Sequence, residues 1–525
     1  MDSSSIFPTL SPGRRSTRLL VLALALAVFA GTVGAALFYS GSSRILSPSA
    51  VELLESIEQR AAAQAKSPSL ASSPSPALVW LAAHFVDAAE PVAGPAVQSL
   101  DALPLGLLAT LLYLLASFMV GPFSALLAPL LLLLQPQFLQ RLMEVGAGFA
   151  VAALLVPSLV LGVALTRATW WARLLLCAVA GLAGGGAVFV HHLGFWTTMG
   201  ATLALFLAAR PRLKDGQLEV APLGLELVTV LFCFVVAAGI TYKVLALDGK
   251  EVIGYLFGPF KQFHPPFAVA GTVYREVVDG GPPVWTTLYL WLVRTPLSLW
   301  VLAALGLRAS WCGGCRVPRL LWLPVGPALA ILIVTAGAGS PLYSGPLNLL
   351  APLALLPALL GTAALTGGQP AAGGPGWTRF APVMLATVVV AHLVVVDARH
   401  LPHPSAYANV LGGGSGGSLA GGNGLYLEPT FDEAAARELL SLGNKVVVSP
   451  WDGAASSVLA RYASELGQPP PKVRPGGILP TLLYAGGSDT AGELLLDYCQ
   501  GPGVAASLTI DHQVLWCVVD PGAAP

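Results

Sequence analysis

The chain has 525 residues, with 27 Lys and Arg balanced by 27 Asp and Glu, so its formal net charge is zero. Only 10% of residues are charged, 55% are hydrophobic and the mean hydropathy is +0.73, against about 25% charged residues in an ordinary soluble domain. A soluble enzyme or a disordered chain needs more polar surface, and a nucleic-acid binder needs a basic excess; what remains is a polytopic membrane protein.

The first apolar run, 19–38, follows Arg14, Arg15 and Arg18. It is long enough to cross a hydrocarbon core of roughly 30 Å at about 1.5 Å per residue. A secretory signal has a shorter apolar region, about 7–15 residues, and no small-x-small cleavage site follows, so the run reads as a retained signal-anchor. A polar segment rich in Ser, Pro and Ala covers 40–103. Further apolar runs lie near 104–121, 123–135, 144–165, 169–190, 194–209, 222–245, 286–307, 319–338, 344–365 and 379–397, giving about 11 spans. The runs at 123–135 and 194–209 are short for a full crossing. Frequent glycine (57) and proline (43) without a Gly-X-Y period fit broken membrane helices.

Lys and Arg in short loops mark the cytoplasmic side. With residues 1–18 cytoplasmic, the loops holding Arg167, Arg210, Arg212, Lys214, Arg308, Arg316, Arg319 and Arg379 fall on the same side. Loops 40–103 and 246–285 and the tail beyond 398 then lie outside. A Gly-rich linker within 400–424 leads to a segment of different character, 425–525. There 445–449 reads as a buried strand, 454–466 as a helix and 514–519 as a terminal strand. The expected fold is therefore mainly α, a transmembrane helical bundle with a small C-terminal α/β domain. Cys499 and Cys517 lie in that domain, either paired in an oxidising compartment or left as thiols.

Among the motifs, Cys312-Gly-Gly-Cys315 has metal-site spacing but no second Cys pair or nearby His, and reads as chance. Cys177 and Cys233 lie in spans as apolar packing. The run Gly412-Gly-Gly-Ser-Gly-Gly417 lacks the Lys-Ser/Thr ending of a phosphate loop and is a linker. Arg294, followed by Thr295 and Pro296, is the most informative charge. At membrane depth it faces a partner or polar cavity, and if the proline opens the helix it sits at the interface, where its fork suits a phosphate. His191 and His192 occupy a short turn, where a joint metal site is disfavoured. His264-Pro265-Pro266 lies in a loop whose aromatics, among them Tyr255, Phe257 and Phe267, suit the bilayer interface. Glu52, Glu55 and Glu58 recur every third residue and share roughly one helical face, which suits either a general base or a solvated amphipathic surface.

Several stretches, in order along 20–440, resemble the bacterial branch of the polyprenyl-phosphate-mannose protein mannosyltransferases, family 39 of the glycosyltransferases, in the GT-C class. Leu131-Leu-Leu-Leu-Gln-Pro-Gln-Phe-Leu139 resembles an apolar run closed by a Ser-Pro-Asn-Phe-Leu turn. Gly181-Leu-Ala-Gly-Gly-Gly186 resembles a Gly-Leu-x-x-Gly helix. His264-Pro265 with Gly271 is similar to a His-Pro loop element, and Arg294-Thr-Pro296 to the Lys-Thr-Pro that opens a span. Gly345-Pro-Leu-Asn-Leu-Leu350 resembles Gly-x-Arg-His-Leu-Leu, and His403-Pro-Ser-Ala-Tyr-Ala-Asn409 the entry to the outer domain. The acids depart from the pattern. Ser49 and Ala50 stand where the family has its catalytic acid, Ser75-Pro-Ala77 replaces a His-Pro-Pro, and Gly148 replaces a second-loop Asp, with Glu144 four residues earlier. Leu347-Asn348 replaces an Arg-His pair.

The resemblance implies inverting transfer of a hexose or pentose from a polyprenyl-phosphate donor in the bilayer to a protein, lipid or glycan acceptor. A carboxylate would act as base and cations would hold the leaving phosphate. Carried onto this sequence, the base candidates are Glu52, Glu55 and Glu144, and the substrate-binding candidates Arg294, His264 and Asn348. A cofactor is not required, and a divalent metal is optional in the class. The alternative is a catalytically degenerate subunit that binds or assembles envelope glycans. A transporter is disfavoured, since no internal repeat is apparent.

Overall fold

The computed structural model describes residues 15–42, 44–63, 75–86, 94–120, 122–165, 169–208, 213–214, 217–218, 221–257, 267–269, 272–274, 285–312, 326–327, 330–331, 333, 381–401, 407, 411, 431–442, 447–448, 453–473, 481–484, 504–510 and 513–519. Helix α1 (Arg15–Ser42) leads through the two-residue strand β1 (Ile45–Leu46) to α2 (Pro48–Ala63) and α3 (Pro76–Ala83). Then come α4 (Gly94–Val120), a 3-10 turn (Ser124–Leu126), α5 (Leu127–Leu133), α6 (Pro136–Met143), α7 (Ala147–Leu165), α8 (Trp170–Val190) and α9 (Gly194–Ala208). A small hairpin of β2 (Leu213–Lys214) and β3 (Gln217–Leu218) precedes α10 (Ala221–Leu245) and α11 (Gly249–Phe257). A second hairpin, β4 (Phe267–Val269) with β5 (Thr272–Tyr274), precedes α12 (Thr286–Arg294), α13 (Leu297–Cys312) and α14 (Ala381–His400).

Among the described residues, five helices are long and apolar enough to cross a membrane: Thr17–Tyr39, Val97–Ser117, Ala147–Ala164, Trp170–Val190 and Gly224–Leu245. The chain is a membrane protein. Helix α7 is the centre of the bundle, packed by α4, α8, α9 and α6, while α1 lies on α4 and α10 on α8. Leu19, Leu22, Leu26 and Phe38 of α1, and Val228, Phe232, Val235 and Ile240 of α10, are exposed. Apolar side chains on an outer helical face belong against lipid tails.

Two expected spans are interrupted, both by proline, and a third is short. The run at 123–135 is a 3-10 turn and the seven-residue α5, and the chain breaks at Gln135 (φ −84°, ψ 124°) before Pro136. The run at 286–307 divides at Thr295 (φ −82°, ψ 131°) before Pro296. In both, the residue ahead of proline is pushed out of the α region. Helix α9 has 15 residues, about 22 Å of rise, short of a full crossing. The runs at 319–338 and 344–365 lie almost wholly outside the described residues.

Helices α8 and α10 approach closely along small residues. A Cβ on Gly181 would meet the Val230 carbonyl and Cys233, and one on Gly185 the Phe234 carbonyl and Ala237. Gly184, between them, accommodates Thr198 of α9. Arg173 and Glu226, near the starts of these two helices, pair at 3.0 Å.

The C-terminal segment begins with β6 (Phe431–Asp432) and α15 (Glu433–Ser441). It continues through β7 (Val447–Val448), α16 (Gly453–Glu465), β8 (Lys472–Val473), β9 (Thr481–Tyr484), β10 (Val504–Ile510) and β11 (Gln513–Val519). The last five strands form one sheet in the order β10-β11-β9-β7-β8. Strand β7 is parallel to both β8 and β9, and β11 antiparallel to β9 and β10. The unit β7-α16-β8 is a parallel crossover, and the hairpin β10-β11 closes the other edge. Cys517 is disulfide-bonded, and Cys499 lies outside the described residues.

This segment is bound to the bundle through the chain leaving α1. Strand β1 pairs antiparallel with β6, Ile45 opposite Asp432 and Leu46 opposite Phe431. Apolar residues of α2, α3, α15 and α16, including Leu54, Ile57, Val79, Ala436, Val458 and Tyr462, share one core with Phe431.

Candidate active site

Where α1 ends, a short backbone segment runs between two partners. Ile45 pairs with Asp432 on one side and bridges to Glu144 on the other, and its carbonyl accepts from the Val145 N–H at 3.4 Å. The next residue but one, Ser47, is wholly buried and hydrogen-bonds through Oγ to Oε1 of Glu144, itself 6% exposed. Glu144 caps the C-terminal end of α6, its N–H bonded to the Gln140 carbonyl at 3.0 Å. Two residues on, Gly146 adopts φ +84°, and its position faces the Leu53 side chain of α2. Only glycine meets both requirements without strain.

Asp101 of α4 completes the turn. Its Oδ2 accepts from Gly146 N–H at 2.6 Å and its Oδ1 from Phe149 N–H at 2.7 Å. The first N–H groups of α7 lack intrahelical partners and carry the positive end of the helix dipole, so a carboxylate supplied from another helix satisfies them.

The same short helix reaches Arg294. Gln137, in the first turn of α6, donates through Nε2 to the Arg294 carbonyl at 2.5 Å. Arg294 is 3% exposed and sits in the last turn of α12, beside the break at Thr295-Pro296. Gln137, Gln140 and Glu144 follow an i, i+3, i+7 spacing, one face of α6. About 10 Å of helix separates the Arg294 contact from Glu144. Across that break, Ser298 of α13 and Nδ1 of His392 of α14 lie 3.0 Å apart. His400, near the end of α14, bonds the Val396 carbonyl at 2.7 Å and packs edge-on against Tyr407.

Of the residues singled out from sequence, Glu144 and Arg294 are thus connected through α6. Glu52 and Glu55 are solvent-exposed on α2, on the face opposite its buried Val51, Leu54 and Ile57. Partial burial of the carboxyl, then the Glu55 charge, pushes Glu52 above its ordinary value. Glu58, the third of the series, is turned toward Arg461 of α16, at 2.6 Å. His264 and Asn348 lie outside the described residues. The rings of His191 and His192 stack in parallel, 4.4 Å apart. Among the described residues no group of three or more His, Cys, Asp or Glu is arranged to hold a metal ion. The Cys312 side of the Cys-x-x-Cys pair ends α13, and Cys315 lies outside the described residues.

Three residues of this region give weaker sequence signals. Asp101 lies just before the apolar run expected at 104–121, but α4 starts at Gly94 and carries the acid into the helix. An acid inside a membrane helix is itself a functional signal. Asp397 likewise stands at the very edge of its run. Ser47 has no signal in the sequence, because only the pairing of β1 sets it against Glu144.

No protein-family model matches the chain, and neither does any curated protein sequence. Among solved structures, the chain is similar to ArnT from Cupriavidus metallidurans bound to undecaprenyl phosphate. That similarity has 14% identity and a TM-score of 0.45, over 97% of this chain and 99% of that one. It is also similar to the Archaeoglobus fulgidus oligosaccharyltransferase in complex with Zn and sulfate, at 15% identity and a TM-score of 0.46, over 84% of this chain and 61% of that one.

Proposed function

We propose that this chain is a membrane glycosyltransferase of the GT-C type. In this reading it moves a sugar from a polyprenyl-phosphate donor to an acceptor hydroxyl on the extracytoplasmic side of a bacterial inner membrane. The observation that carries the reading is the buried link from the Ser47–Glu144 pair along α6 to Arg294. Through the Arg294 main-chain carbonyl it ties the Glu144 carboxylate to the helix end that carries Arg294, and these two residues would supply the two charges this reaction needs. The bias of basic residues toward the opposite loops supports the sidedness, and the ordered motif resemblance supports the donor class.

In this mechanism Glu144, oriented by the Ser47 hydroxyl, accepts the proton of the acceptor hydroxyl. The acceptor oxygen attacks the anomeric carbon as the bond to the phosphate oxygen breaks, inverting the centre. Negative charge collects on the departing polyprenyl phosphate, where Arg294 holds it. Glu144 replaces Glu52 and Glu55 as the favoured base because a base must be shielded and fixed, and those two face solvent.

Transfer of hexose from polyprenyl phosphate-hexose, followed in nanodiscs, tests this. Removing a general base costs about 10²–10⁴ in rate, so Glu144→Gln should lose at least a hundredfold, while Glu52→Gln and Glu55→Gln stay near wild type. Full activity in Glu144→Gln would reject the assignment. Ser49 and Ala50, standing where the family has its acid, favour the second reading, a non-catalytic glycan-binding subunit. Carrier binding without any measurable transfer by the wild-type protein would select it.

A further inference from the structure

Six buried polar atoms, on α6, at its junction with α5 and on α14, have no hydrogen-bond partner among the described residues. They are both amide atoms of Gln135, Oε1 of Gln137, Oε1 of Gln140 and both carboxyl oxygens of Asp397. The residues are 0, 1, 3 and 6% exposed. Native proteins rarely leave such atoms unmet, because each has lost its water without gaining a partner. Carried on helices that pack together, they describe a site to be filled.

Packing brings them together. The buried stripe of α14 runs through Val389, Leu393, Val396, Asp397 and His400. Its Val389 and Leu393 belong to the same core as Leu131 and Leu132 of α5 and Phe138, Leu139 and Leu142 of α6, and α14 packs on both of those helices. Asp397 lies one turn beyond Leu393 on that stripe. Gln135 occupies the break between α5 and α6. Gln137 and Gln140 lie on the face of α6 that links Arg294 to Glu144.

The three glutamine oxygens are acceptors, Nε2 of Gln135 is a donor, and the Asp397 carboxyl offers a further oxygen pair. A phosphate brings only acceptors and would leave the three amide oxygens unmet. A hard divalent cation prefers several charged oxygens, and only one carboxyl is present here. A ring of adjacent hydroxyls supplies donors with an occasional acceptor, matching this inventory.

We propose that Asp397, with Gln135, Gln137 and Gln140, forms the subsite for the hydroxyl groups of the donor sugar, beside the phosphate held at Arg294. The proposal rests on the lipid-linked donor reading above. Leaving a buried polar group unsatisfied costs about 1–3 kcal/mol, roughly tenfold or more in affinity, which sets the scale of the test.

The full-length protein in lipid nanodiscs is titrated with undecaprenyl phosphate and with undecaprenyl phosphate-hexose. The wild type should bind the glycosylated carrier at least tenfold more tightly. Asp397→Asn, which keeps the shape, should lose most of that preference while binding the bare carrier as before. Gln135→Leu should narrow it as well. Equal wild-type affinity for the two carriers would overturn the sugar subsite but leave the carrier reading standing, and failure to bind either would overturn both. Preference retained in both variants would also overturn the subsite. The wild-type comparison stands whether or not the variants fold.

Discussion

Ser47 and Glu144 are 97 residues apart and meet because a single turn of backbone fixes both. Glu144 ends α6 with extended geometry (φ −85°, ψ 128°), which presents its main chain to Ile45 and its side chain to Ser47. A buried carboxylate needs such a donor, since isolation from water disfavours its charged form. Asp101 receives the same treatment from two backbone N–H groups. A different residue carries the pH dependence. Burial lowers His192 from its usual value of 6.5 to about 4, so the fold holds the ring neutral. The unfolded chain therefore binds more protons between these limits, and stability falls as pH drops from 6.5 toward 4. The thermal midpoint should decline over that window, and His192→Gln should decline less. An identical decline in both proteins would remove His192 as the cause.

Among the helices, proline and glycine do opposite work. Pro136 and Pro296 each eject the preceding residue from helical geometry, producing the breaks that place Gln135 and Thr295 at the site. The glycines of α8 remove side chains so that backbones meet, which is how membrane helices pack without a hydrophobic driving force between them. Gly185 faces the Phe234 carbonyl, whereas nothing lies within 4 Å of a Cβ on Gly186. Gly185→Leu should therefore cost about 3 kcal/mol, an overpacking penalty at the upper end of its range. Gly186→Leu should cost almost nothing, as read by denaturant unfolding in detergent. Equal effects would show that helix propensity, not the α8–α10 contact, governs this stretch. The repeated glycine of 181–186 was legible in the sequence only as a stretch resembling a Gly-Leu-x-x-Gly helix. Its division between two partners, α10 for Gly181 and Gly185 and α9 for Gly184, was not, since helical phase alone does not name the neighbour.

At the scale of the whole molecule, the C-terminal α/β segment is fastened to α2 and to the chain around β1. Arg461 bonds both oxygens of Glu58, at 2.6 Å each, and Glu465 at 2.8 Å, while Arg44 reaches Glu465 at 2.9 Å. The Glu58 hydrogen bonds push the guanidinium above its ordinary value, and burial raises the Tyr462 phenol. That hydroxyl stays protonated and lies 2.9 Å from the Phe431 carbonyl and 3.1 Å from that of Arg44. These partners are only 12–23% exposed, so removing one costs more than breaking a surface pair. Arg461→Gln should weaken the docking by about 2 kcal/mol and speed hydrogen exchange at β1 and β6. A double-mutant cycle with Glu58→Gln that shows no coupling would contradict this. Because β1 also carries Ser47 toward Glu144, loosening this clamp should lower sugar transfer without touching Arg294.

Composition and hydropathy determined that the chain crosses a membrane, because 10% charged residues cannot clothe a soluble surface of this size. They also marked Arg294 and Pro296 as a special break, since a charge within an apolar run is costly unless it meets a polar partner, and the nearby proline opens the helix there. The tertiary structure alone decided which carboxylate is shielded. The Glu52, Glu55 and Glu58 series follows helical spacing, but spacing does not say which face meets the bundle, and α2 turns its first two acids outward. Ser47, Asp101 and Asp397 are ordinary residues in one dimension. They matter through long-range pairings, which depend on how helices and a two-residue strand pack and on nothing within a local window.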